Sequence, residues 1–174
     1  MRKAITHVEA PYLSLHVDHD YLTVGEMGNI LIRLQAVLRS LAELGRGQRE
    51  QPRFIISSIK KTHSLEIVVM LSILTVTASI PQNLSFYRKV ATKAFHRFKM
   101  SATAFAKSRG LEITVTNGKI NHRQSQKLLE ELSLRQRKKL SDFVRALTRP
   151  ANSVVIRDED SAVTLKRPDL PKLL

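Results

Sequence analysis

The 174-residue chain contains no cysteine and no tryptophan. Without cysteine there is no disulfide, no thiolate metal site and no thiol nucleophile, so the fold must be held by packing, which suits a reducing cytoplasm. Aromatic residues make up only 5% of the chain, which leaves few rings on which a nucleic-acid base could stack. Long apolar runs are also scarce. The longest, residues 65–80, contains Glu66, ends at Pro81 and falls short of the roughly 20 residues a spanning helix needs, so integral membrane insertion is not expected. The start, MRKAITHVEA, lacks the continuous apolar stretch of a signal peptide. No P-loop, dinucleotide glycine motif, G-x-S-x-G or H-E-x-x-H occurs, so no cofactor is implied and binding is favoured over catalysis.

Acidic residues are the other shortage: 15 stand against 29 Lys and Arg, a net charge of +14. Residues 1–84 carry nine basic and seven acidic side chains, residues 85–149 carry sixteen and four, and residues 150–174 carry four of each. The excess is therefore regional. That distribution suits a face that meets an anionic partner, whereas a surface that only confers solubility has no need to gather its charge in one part of the chain. The apolar share of 43% is enough for a core without staples at this length.

Residues 11–17, PYLSLHV, alternate as a half-buried strand. Thr23 and Glu26 form a capping box that opens a helix to Leu44, and Gly45 is placed to stop it. Residues 53–60 and 64–71 read as a hairpin, and 72–84 stay unassigned between strand extension and a buried segment. A helix over 85–109 and a strand over 111–116 follow, then two helices divided at Leu132/Ser133 by a second capping box, Ser133 with Gln136. A last hairpin is expected from 153–156 and 162–165. The fold expected is α+β, with a ferredoxin-like βαββαβ core carrying two helices on one face of an antiparallel sheet, followed by two helices and a hairpin. The corresponding division is a sandwich core over 1–120, a helical pair and hairpin packed on it over 121–166, and a tail over 167–174.

The functional expectation centres on residues 85–109. As a helix they put Tyr87, Ala91, Ala94, Phe98, Ala102 and Phe105 on one side and Lys89, Lys93, His96 and Lys107 on the other, with Arg88, Arg97 and Lys99 beside them. With Arg135, Arg137, Lys138 and Lys139 of the last helix, these cations suit the phosphate backbone of DNA or RNA, without base specificity. An RNA-recognition sheet of the stacking type is not expected, because residues 64–71 hold neither an aromatic nor a glycine and Tyr12 is the sole stacking candidate on the other central strand. Lipid-surface binding ranks below nucleic acid, since the apolar side of the helix is needed for the core. Tyr87 fits that core stripe better than the role of a nucleophile.

Two alternatives come from other classes. One is an assembly module that docks an acidic protein partner or a second copy of itself through strand edges. The other is a divalent-metal phosphodiesterase built on His16, Asp18, His19 and Asp20, the densest run of metal-ligand residue types, although polar residues after a strand more often make a solvated turn.

Overall fold

The computed structural model describes residues 3–42, 50–75 and 83–168. Its elements run β1 (Ala4–Asp18), α1 (Val24–Ala42), β2 (Glu50–Lys61), β3 (Ser64–Thr75), α2 (Leu84–Ser108), β4 (Glu112–Asn117), α3 (His122–Glu131), α4 (Leu134–Thr148), β5 (Ser153–Arg157) and β6 (Ala162–Lys166). The protein is a mixed α+β structure in which helices pack against one antiparallel sheet. The sheet order is β2-β3-β1-β5-β6-β4.

That order differs from the ferredoxin-like expectation, in which β4 would lie beside β1. The terminal hairpin takes the place instead: β5 pairs with β1 from Ser14↔Arg157 to Asp18↔Ser153, and β4 is displaced to the far edge against β6. The side chains account for the exchange. Val154 and Ile156 of β5 are buried, as an interior strand requires, whereas β4 exposes Glu112, Thr114 and Thr116 and suits an edge. The expected division at 120/121 thus passes through one sheet. It also passes through one core, because Phe143, Leu147, Val154 and Val163 share a buried cluster with Leu13, Leu15, Ile30 and Phe95.

β1 begins seven residues before the expected start at Pro11, and its register with β3 shifts between Val8 and Leu13. Pro11 sits in that irregularity, where a missing backbone donor costs no ladder bond. β3 continues to Thr75, which settles part of the open stretch; residues 76–82, with the break expected at Pro81, lie outside the described residues, as does Gly45. Leu13, Leu15 and Val17 of β1 alternate with Ser14 and His16, and Leu65, Ile67, Val69, Leu71 and Ile73 of β3 bury the same face. Helices α1 and α2 close this face, joined to it by Phe54 against Phe95 at 5.5 Å. α4 lies along α1, and α3 lies along α2.

Local signals set the helix ends. Thr23 and Glu26 exchange the two capping-box bonds, with Thr23 N–H donating to Glu26 Oε2 at 2.8 Å and Glu26 N–H to Thr23 Oγ1 at 3.1 Å. Ser133 and Gln136 repeat the arrangement at α4, and Gln136 Nε2 also donates to Ser40 O at 3.0 Å, tying the start of α4 to α1. α2 ends where Gly110 adopts φ +80°, with Leu111 N–H donating to Ala106 O and Gly110 N–H to Lys107 O, a complete Schellman motif.

Candidate functional site

The polar side of α2 is not uniformly free. Its first half exposes Arg88, Lys89 and Lys93 as expected, but from Lys99 to Ala104 every residue is buried. α3 lies over the side expected to face solvent, and its Ser125 hydroxyl reaches Met100 Sδ at 3.6 Å. The residues explain the burial: within 99–106 the small side chains of Ser101, Ala102, Thr103, Ala104 and Ala106 fall on several sides of the helix, so neighbouring elements approach on more than one side.

Three of the ten expected phosphate-binding cations are engaged within the fold. Lys99 is 1% exposed, and its ammonium donates to Asp158 Oδ1 at 2.5 Å and to Ser161 Oγ. This corrects its place on the basic face, because a group sealed in a buried ion pair cannot reach an outside phosphate. Arg97 Nη1 donates to Leu41 O at 3.2 Å near the C-terminal end of α1. Arg137 donates to Leu132 O at 3.1 Å and Glu130 O at 2.5 Å, where α3 ends. Carbonyls at a helix end have no intrahelical donor, so a guanidinium there stabilises the end.

The remaining seven behave differently. Arg88, Lys89, Lys93, Lys107, Arg135 and Lys138 are exposed, Lys139 is half-buried, and none pairs with an acid among the described residues. Further cations, outside the expected set, gather along the seam between α1 and α4. One concavity of about 700 Å³ is lined by Arg39, Arg135 and Lys139 beside the N-terminal end of α4. Another of about 680 Å³ carries Arg33, Arg145, Arg149 and Arg167 with Glu26 and Asp142. Arg33 lies 3.4 Å from Asp142, which partly neutralises this second concavity, and Arg167 donates to Thr148 O and Arg149 O. The sequence held the signal for the seam, since Arg33 and Arg39 alternate with the apolar side of α1, but the docking of α4 beside them is a tertiary fact.

The His16, Asp18, His19 and Asp20 run does not converge. His16 faces Glu66 across the β1–β3 ladder at 3.7 Å. Asp18 and Asp20 are exposed, and Asp18 O accepts from Asn152 N–H at 2.8 Å. His19 is 8% exposed with no partner on either ring nitrogen among the described residues. His16 and Asp18 share one face of β1 but His19 and Asp20 lie beyond its end, and among the described residues the one convergent set of ligand types is His96, Asp158 and Asp160.

Asp158 is the hub of the β5–β6 turn. Its Oδ1 accepts from Asp160 N–H at 2.9 Å, Ser161 N–H at 3.0 Å and Lys99, while its own N–H donates to Ser161 O. Gly118 packs on this turn at φ +74°, where a Cβ would stand 2.6 Å from Asp160 O. Glu26 titrates below its ordinary 4.5, chiefly because the Thr23 backbone N–H, and then the Thr23 side chain, hydrogen-bond its carboxylate.

The structure thus defines a basic α+β protein with exposed helical cations and a buried charge cluster. No family model matches the sequence, and no curated protein is significantly similar to it.

Proposed function

We propose that the protein binds nucleic acid, or a similar polyanion, through the cations of its helices, without catalysing a reaction on it. The observation that carries this reading is the set of seven expected cations that stay unpaired among the described residues, Arg88, Lys89, Lys93, Lys107, Arg135, Lys138 and Lys139. A surface that served only solubility would gain as much from cations paired or interspersed with acids. Phosphate contacts need flexible charges spread over a surface, and two helices with Lys and Arg one turn apart provide them. The α1–α4 seam extends the candidate surface to Arg39. Binding to short DNA and RNA across a salt series, with Lys89→Glu/Lys93→Glu as the variant, tests the reading; affinity unaffected in the folded variant would reject the α2 part of the face.

A second reading, assembly with an acidic partner or a second copy, is favoured by one feature. β2 is an outer strand of the described sheet and leaves Ile56 and Ile59 36% and 44% exposed. Light scattering after size exclusion separates the two readings, since this one requires a defined complex. None of the described helices is long and apolar enough to cross a membrane.

A further inference from the structure

We propose that His96, Asp158 and Asp160 form a binding site for one divalent transition-metal cation. His96 comes from the middle of α2 and the two aspartates from the β5–β6 turn, about 60 residues away in sequence and adjacent only in the fold. Each offers one ligand atom, and all three atoms lie within 4.8 Å of one another. Metal–nitrogen and metal–oxygen bonds of about 2.0–2.2 Å place neighbouring ligand atoms roughly 3–4 Å apart, so a cation needs side-chain adjustments of up to about 1 Å. An imidazole nitrogen with two carboxylates suits borderline divalent ions, Zn²⁺ among them, and leaves coordination positions for water.

The surroundings resemble the outer sphere of a metal site. Ligating carboxylates are held in place by hydrogen bonds that their other oxygen accepts. Asp158, 7% exposed, takes Lys99 and two backbone amides on Oδ1 and, among the described residues, no hydrogen bond on Oδ2, which leaves that oxygen for a cation. His96 is half-buried and makes no hydrogen bond or ion pair among the described residues. Gly118 fixes the turn from the other side, since its missing Cβ lets the chain approach Asp160 O closely. Lys99 opposes the cation electrostatically, but with two carboxylates present the three side chains still leave one negative charge for a divalent ion to meet. The ammonium therefore weakens the site and orients Asp158 at the same time.

Metal uptake does not depend on polyanion binding, so failure of either leaves the other standing. Titration calorimetry of the untagged protein with ZnCl₂ is the test. One ion per chain is expected, with affinity reduced at least roughly tenfold in His96→Ala and in Asp160→Asn, a loss that even an outer-sphere partner can cause. Asp160 is exposed, so its variant keeps the fold, which circular dichroism checks. His63→Ala, in the exposed β2–β3 turn, should bind as the parent does. Absence of stoichiometric uptake, or uptake that survives both substitutions, overturns the site. So does a loss confined to His16→Ala, which would put the ion at the end of β1.

Discussion

Lys99 shows how one side chain can change allegiance between sequence and structure. On a helical wheel it lies at the shoulder of a basic face, and no acidic residue within a turn marks it for an ion pair; its partner Asp158 is 59 residues away. Breaking a buried pair by removing one charge costs about 3–5 kcal/mol, because the other charge is left without compensation. Asp158→Ala should therefore lower the unfolding free energy in urea by about that amount. Lys99→Met should cost less, since Asp158 keeps two backbone donors while the aliphatic stem is replaced by similar volume. Two glycines offer a second comparison. Gly110 and Gly118 both have positive φ, but a Cβ meets nothing within 4 Å at the first and Asp160 O at 2.6 Å at the second. Gly110→Ala should cost about 1–2 kcal/mol, the left-handed penalty alone, and Gly118→Ala measurably more.

Elements were the most legible scale. Both capping boxes, the stop at Gly110 and the Leu132/Ser133 division rest on contacts within five residues, and the structure has all of them. Ser133→Ala should cost about 1 kcal/mol by removing the N-cap acceptor of α4. At α1 the same chemistry is pH-sensitive. The folded state holds the Glu26 carboxyl below its ordinary 4.5, so its contribution is present above that pH and is lost as pH falls through the depressed folded value. The stability gap between parent and Glu26→Gln should shrink over that acidic range; a gap that widened on acidification would reverse the assigned sign. Strand pairing was less legible, because alternation identifies a strand without naming its neighbour. The hairpin at β5–β6 was visible as a hairpin, and its insertion between β1 and β4 was not. For α2, the run 99–106 did hold a sign of all-round packing in its small side chains, hidden by the stronger signal of the lysines around it.

At the scale of the whole molecule the charge asymmetry remains the main guide to function. Sixteen basic residues against four acidic ones lie between 85 and 149, and the fold converts that excess into two populations. Lys99, Arg97 and Arg137 are spent on an ion pair and helix ends, whereas Lys89, Lys93, Arg135 and Lys138 point outward without acidic partners among the described residues. The sequence could count the cations but could not sort them, because engagement depends on carbonyls and carboxylates supplied by other elements. Arg39 enters the candidate surface for the same reason, since α4 docks beside it, whereas Arg33 pairs with Asp142 of α4.

The most direct test of polyanion binding is the affinity of nuclease-treated protein for short duplex DNA as a function of salt, with Lys89→Glu/Lys93→Glu and Lys138→Glu alongside. The parent should show log affinity falling linearly with log salt, at a slope near 0.9 per phosphate contacted. Each contacting lysine removed should lower the slope by about one, with thermal stability nearly unchanged because these side chains are exposed. Absence of binding at low salt, or an unchanged slope in the folded variants, would contradict a helical phosphate-binding face.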